Sequence, residues 1–404
     1  MSQKTFHLAC VTLLLSITLP SAVAEEPQTA PWSTRMADSI IYRHPKAGTI
    51  EPQKADRPPP WSYSTSLAVY AIAQVGLRTG NPKYLQYSRD YADDFLDSTG
   101  HIDPTRYKPQ TYKLDDIAPG RLLLLLFHAT HDDKYRNAAL ELTAQLKDQP
   151  RNSDGGFWHK KIYPHQMWLD GIFMACPFLA DAGATLHRPE LFDEAATQIQ
   201  LIASHTRDPN TGLFFHGWDE SHAEKWANPS TGTSPNLWGR ADGWFAAGIV
   251  ETLDNLPPDH PARPKLIALL HDFARAIANA QDPSTHLWWQ VLDQPRRAGN
   301  YPESSASCLF VFALAKAVRL GCLDKHYLDV ARTGYDGILK QFVETDPATG
   351  TITLKDTCLV AGLGGSPYRD GSYQYYISEP RGSNDPKAMG PFILASLELE
   401  QAPR

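Results

Sequence analysis

Cysteine is scarce in this chain and basic charge is in deficit, and each shortage closes off a class of function. The 404 residues include five cysteines, none in a CxxC pair, and no HExxH segment occurs. Neither a metal site nor a cofactor is therefore expected. Cys176 and Cys308 sit in apolar helical patterns and read as buried free thiols, although an oxidising compartment would permit disulfides. Lys and Arg total 38 against 45 Asp and Glu, a formal net charge of -7. With no basic arm or stripe to offset it, the chain is not read as a nucleic-acid binder. An acidic ligand would need positive charge gathered inside a site. Strand-like alternation is confined to short stretches such as Thr351 to Leu354, so a sheet-based fold is not expected.

Only one apolar run stands outside this pattern, Leu8 to Leu19. It is short for a membrane-spanning helix. Lys4 and His7 precede it and Ala22-Val23-Ala24 follows, the layout of a secretory signal peptide over residues 1–24. The expected product is exported, periplasmic or secreted, with no membrane association once the signal is removed; the signal's length and flanks suit a bacterium. Residues 25–60, with the Pro-rich "PQKADRPPP" at their end, read as an N-terminal extension, and 61–404 as one domain.

What the domain does contain is helix signals of two alternating kinds. Six stretches are apolar nearly all round: from Ser66, Gly120, Ile172, Trp244, Ser307 and Pro391. Such helices are expected to be buried. Between them run amphipathic segments such as "DDKYRNAALELTAQLKDQ" and "PARPKLIALLHDFARAIANA". An inner ring of six helices inside an outer ring, the all-α (α/α)6 barrel, fits this alternation; a helical solenoid is the competing arrangement.

In such a ring, residues just before the inner helices gather at one mouth. Those positions hold Trp61 and Tyr63; Asp115 and Asp116; His159, Lys160, His165, Trp168 and Asp170; Trp238, Arg240, Asp242 and Trp244; Tyr301 and Glu303; and Asn384, Asp385 and Lys387. Aromatic and ionisable groups together suit a concave sugar site. Singly, Asp115, Asp116 or Glu303 could serve as a helix cap, His216 as an ordinary structural histidine, and Arg240 as one half of an ion pair. Asp170, within "MWLDGIFMACPFL", is harder to explain by capping, and its apolar company is expected to raise its pKa. Gly171 beside it leaves room either for a sugar ring or for close helix packing.

The segments "GGFWHKKIYPHQMWLDGIFMACPFLA", "GLFFHGWDES", "WGRADGWFAAGIVETL", "YPESSASCLFVFALAKAVRLG" and "VAGLGGSPYRDGSYQYYISEPRGSNDPKAMGPFILA" resemble glycoside hydrolase family 105, the unsaturated rhamnogalacturonyl hydrolases, in order from about Trp61 to the C-terminus. The resemblance implies the (α/α)6 barrel. It also implies a substrate, an oligosaccharide left by a polysaccharide lyase and capped by a 4,5-unsaturated uronic acid. Asp170 then corresponds to the carboxyl that protonates C4 and activates the water adding at C5, and Asp115 to the second essential carboxylate. Lys160, Trp168, His216, Trp238, Arg240 and Trp244 match positions lining the family's site, and Tyr63 matches less specifically. Within that frame Trp238 and Trp244 are expected to stack on sugar, Lys160 and His216 to bind polar groups, and Arg240 to hold the uronate carboxylate.

One position departs from the family pattern. Asp242 stands where Asn is common, a charge unfavourable beside an anionic sugar unless it pairs with Arg240 or carries a proton. The rival readings are a family 88-like unsaturated glucuronyl hydrolase acting on glycosaminoglycan fragments, and a non-catalytic periplasmic sugar-binding barrel. A lyase or epimerase on the same barrel matches the motifs poorly.

Overall fold

The computed structural model describes residues 30–51 and 59–402. The expected signal peptide, 1–24, lies outside the described residues, as does most of the Pro-rich run. Among the described residues no helix is long and apolar enough to cross a membrane.

The helices, in chain order, are α1 Trp32–Arg43, α2 Tyr63–Thr79, α3 Pro82–Asp93, α4 Gly120–Thr130, α5 Asp133–Lys147, α6 Leu169–Thr185 and α7 Glu190–Thr206. They continue with α8 Gly239–Asn255, α9 Arg263–Asn279, α10 Ser304–Arg319, α11 His326–Gln341, α12 Tyr373–Ser378 and α13 Pro386–Gln401. Strands are two or three residues long and form antiparallel pairs: β1 Gln166–Trp168 with β2 Gly217–Asp219, β3 Val343–Thr345 with β4 Ile352–Leu354, and β5 Thr357–Cys358 with β6 Arg381–Gly382.

The six apolar stretches become α2, α4, α6, α8, α10 and α13. Each packs on the next, and α13 packs back on α2, so the ring closes and the solenoid is excluded. Burial explains their composition: α8 is buried at every residue from Gly239 to Leu253. Close approach demands small residues at the crossings. A Cβ on Gly248 of α8 would lie 3.0 Å from Ile172 and 3.1 Å from the Phe173 backbone of α6. The outer helices bury one stripe each. In α9 the buried residues are Leu266, Leu270, Phe273, Ala274, Ala276 and Ile277, the spacing of one helical face. Caps set the starts of α3 and α5, with Asn81 accepting from Lys83 N and Asp132 from Lys134 N.

Two boundaries differ from expectation. The segment assigned to an N-terminal extension contains α1, which packs on α13 as the sixth outer helix; the Ser33 hydroxyl reaches Glu400 at 2.7 Å. The sixth inner helix starts at Pro386 rather than Pro391, because Asp385 caps it and Pro386 occupies the first turn. Pro391 is accommodated inside the helix.

Candidate active site

The short β1–β2 pair sets the geometry. Trp168 pairs with Gly217 across it, and Leu169 N donates to His216 O at 3.0 Å. Asp170 follows β1 by two residues and His216 precedes β2 by one, so this register brings the two side chains together. Asp170 Oδ2 lies 3.1 Å from His216 Nε2, yet misaligned, and each atom lacks a hydrogen-bond partner. On its far side His216 Nδ1 meets the Tyr376 hydroxyl at 2.8 Å. The ring is fully buried, whereas Asp170 keeps 14% of its side-chain surface open.

Asp170 differs from expectation in two respects. It is the second residue of α6, in the first turn, where a carboxylate is favoured by the helix dipole. Its pKa is not raised. Burial pushes the carboxyl up, but the charge and contact of His216, with His159, outweigh that and hold it below its ordinary value. The apolar neighbours visible in sequence do not determine the result, because a partner from a distant segment does.

Gly171 is decided in favour of packing. A Cβ there would meet Leu114 Cδ1 at 2.9 Å and His159 Nδ1 at 3.2 Å. That contact seats the 3-10 turn Leu114–Asp116 against α6 and brings Asp115 to the mouth. Asp115 accepts Lys160 Nζ at 2.5 Å and lies 3.5 Å from His159 Nε2. Burial raises the Asp115 carboxyl, and Lys160, His159 and Lys113 together bring it below the usual range. The buried His159 is held down to about 4, mainly by burial, so it is neutral near pH 7. Asp116, next to Asp115 in sequence, is pushed up to about 7 by burial, and its backbone carbonyl accepts from Trp61 Nε1 at 2.8 Å.

The aromatic residues form walls rather than open platforms. Trp168 has His159 stacked at 4.5 Å and Tyr163 at 5.0 Å. Trp238 is 1% exposed, with Tyr376 stacked at 5.9 Å and the Arg240 guanidinium 4.7 Å from its ring. Trp244 is 0% exposed, against Phe173 at 4.6 Å and edge-on to Tyr63 at 6.4 Å. Stacking of Trp238 and Trp244 on a sugar is therefore corrected: both are part of the packed barrel. Tyr63, half-buried at the start of α2, is influenced by Asp115, Arg240, Asp170 and Asp385. It keeps its proton, because burial and the carboxylates raise it far above the ordinary phenol value.

Arg240, in the first turn of α8, is almost fully buried. Its Nη1 donates to Cys358 O and to Ser305 Oγ at 3.3 Å, and lies 4.0 Å from Glu303. Its Nε and Nη2 make no hydrogen bond to any described residue, so two donors in a fork remain. Glu303 caps α10 through Ala306 N at 2.7 Å and holds Cys358 N at 2.9 Å. Asp242 does not pair with Arg240. Its Oδ1 accepts from Phe214 N at 3.0 Å, its Oδ2 has no partner, and burial raises it far above the carboxylate range. It is a neutral acid pinning the backbone two residues before His216.

Of the residues singled out in sequence, Tyr63, Asp115, Lys160, Asp170, His216 and Arg240 converge on one mouth, and Trp168, Trp238 and Trp244 support it from behind. Tyr376 was missed; it sits in the Tyr-rich "YQYYIS", where nothing distinguishes one ring from the next. A cavity of about 620 Å³ lies elsewhere, at the opposite end of the barrel between residues such as Tyr70, Glu251, Lys316 and Glu398. Its buried charges are already paired, so this cavity does not mark the chemistry.

The family model described as Glycosyl Hydrolase Family 88 matches residues 32–402. A solved glycoside hydrolase from family 105 of C. acetobutylicum is 39% identical, with a TM-score of 0.87 over 92% of this chain and 100% of that one. The 24.9 kDa protein in the picA locus of Rhizobium radiobacter is 40% identical over 56% of this chain and 97% of its own length. The unsaturated rhamnogalacturonyl hydrolase YesR of Bacillus subtilis is 28% identical over 64% of this chain and 72% of its own.

Proposed function

The chain is a glycoside hydrolase belonging to family 105, matched by the family 88 model over nearly all its described residues, and on that footing we propose that it releases the terminal 4,5-unsaturated uronic acid from rhamnogalacturonan-derived oligosaccharides. The observation that carries the reading is the unpartnered Asp170 Oδ2 beside the unpartnered His216 Nε2, at a mouth that also holds Asp115. A buried polar pair left unsatisfied is costly, and a bound reactant would satisfy it. The enzyme is further read as exported, on its first 24 residues.

In this reading the uronate carboxylate meets Nε and Nη2 of Arg240, a bidentate geometry that lysine cannot offer. Asp170, carrying a proton, transfers it to C4 while water adds at C5, giving up its own proton to the Asp170 carboxylate. The C5 hemiketal opens the ring, and the hemiacetal left at C1 expels the next sugar. No nucleophile attacks the anomeric carbon, unlike the usual two-carboxylate displacement. Asp170 begins as a carboxylate in the free enzyme. A substrate anion placed beside it favours its protonated form, so binding itself would help load the acid.

The test is a panel of lyase-treated rhamnogalacturonan, ulvan and chondroitin, followed by loss of the enoate's ultraviolet absorbance. Rhamnogalacturonan fragments are expected to lose it fastest, and Asp170→Asn to lose nearly all turnover. Preferential turnover of chondroitin fragments would favour a glucuronyl hydrolase. Binding without absorbance loss on every fragment would favour a non-catalytic barrel.

A further inference from the structure

We propose that Tyr376 is a positioning residue for the Asp170–His216 pair, its hydroxyl fixing which imidazole nitrogen carries the proton and thereby when Asp170 can hold one. The inference rests on the reading of Asp170 given above, but its geometry is independent of it.

Tyr376 lies in α12 and is fully buried. Gln290 holds it twice over. Gln290 Nε2 donates to Tyr376 O at 3.0 Å, and Gln290 Oε1 accepts from Trp238 Nε1 at 3.1 Å, which fixes the indole stacked on the Tyr376 ring. The hydroxyl of this immobilised ring meets His216 Nδ1 at 2.8 Å. Burial raises the phenol far above its ordinary value, so it remains a neutral hydroxyl that can donate or accept.

Two arrangements satisfy this chain of contacts. When Asp170 is ionised, the Tyr376 hydroxyl donates to Nδ1 and His216 turns its Nε2–H toward the carboxylate. When Asp170 carries the proton, Nε2 must present its lone pair, and Nδ1–H donates to the Tyr376 oxygen. The hydroxyl is the one group that serves both, because it can reverse its role without moving the ring. Backbone support makes the arrangement stiff: Leu169 N is bonded to His216 O, and Asp242 holds Phe214 N. Asp115 and His159 face Asp170 from the 3-10 turn and the segment before β1. Tyr375, Cys358 and Arg369 face Tyr376 from its own helix, from β5 and from the loop between them. None of these occupies the place of the hydroxyl.

Tyr376→Phe removes that oxygen and keeps the stacked ring. Without the hydroxyl nothing keeps the imidazole proton on Nε2, so the donor that faces the ionised Asp170 is lost from part of the population and the carboxylate is held down less firmly. The expected result is a kcat lowered about tenfold to a hundredfold, with KM within about twofold. The limb of the kcat/KM profile belonging to the pair should move to higher pH, and thermal unfolding should be unchanged. A wild-type kcat and pH profile in this variant would overturn the proposal. Nitrogen-15 NMR of His216 in the unmodified enzyme gives a second readout that needs neither activity nor folding of a variant. Above the titration of Asp170 the proton is expected on Nε2, and a proton on Nδ1 there would overturn the proposal. Should Asp170→Asn retain full activity, the reading of the reaction fails, while the tautomer measured by NMR still tests the positioning role.

Discussion

At the C-terminal end of the inner ring, Glu251 takes Arg121 at 2.5 Å and Lys316 at 3.2 Å, Lys316 also reaches Asp254 at 2.8 Å, and Arg319 holds Glu398 at 2.6 Å. At the N-terminal end, Asp170 Oδ2, His216 Nε2 and His159 Nδ1 have no hydrogen-bond partner. Both ends bury ionisable groups in the same ring of helices. One has matched its buried charges and keeps a cavity of about 620 Å³; the other leaves some groups unmatched. Matching stabilises a charge network, and leaving groups unmatched poises them for a ligand. Helix polarity agrees. Lys316, Arg319, Arg78 and His128 sit in last turns, where cations are favoured. The mouth that faces the proposed uronate gathers helix N-termini, where anions are favoured.

The contrast is sharpest if one substitution is made at each end. Asp170→Asn is expected to lower kcat by about 10²–10⁴-fold with thermal unfolding unchanged. A variant that keeps near-normal turnover would sink the assignment. Glu251→Ala should do the reverse. It strands Arg121 as a buried unpaired charge and leaves Lys316 with Asp254 alone, a cost of about 3–5 kcal/mol, read by denaturant unfolding. The residual folded enzyme should turn over at close to the wild-type rate, and a selective loss of kcat would mean that the paired end takes part in the chemistry.

Smaller effects sharpen the electrostatics of the active mouth. In the free enzyme Asp170 lies below its ordinary value, so the form able to donate is depleted as pH rises. kcat/KM should therefore fall from mildly acidic to alkaline pH. On the proposed reading the substrate anion raises the group in the complex, so the matching limb of kcat should lie at higher pH; coincident limbs would contradict the role given to the uronate.

The smallest expected effect is at Asp242, which the folded protein holds protonated far above the carboxylate range. The unfolded chain releases that proton near pH 4, about the ordinary Asp value. The stability this group contributes is thus complete below that pH and is lost as pH rises toward its folded value. Asp242→Asn, neutral at every pH, should match the wild type at low pH and gain in Tm progressively between pH 5 and pH 9, about those of ordinary assays. A gain that does not grow with pH would mean that the orphaned Oδ2 is not the source.

How much of this could be read in the chain differs from element to element. All six inner helices were legible, because a helix apolar all round has nowhere to go but inside. α1 was not, since its amphipathic face is weak evidence until α13 is seen beside it. Asp115, Lys160, Asp170 and Arg240 could be gathered because residues at the starts of ring helices share one mouth, whereas His216, before β2, was reached only through the family resemblance. Trp238 and Trp244 were misread, because an indole that lines a site and one that packs a barrel look the same in sequence.

The sequence by itself determined the ring, its order and the end at which chemistry-bearing residues collect, since hydrophobic periodicity and position within a repeat are local properties. Only the tertiary structure decided the proton's place. The charge on Asp170 depends on His216, brought within 3.1 Å by the β1–β2 pairing, and on the hydroxyl of Tyr376 beyond it. Electrostatic interaction is set by distance and burial in space, and neither is written in the spacing of residues along a chain.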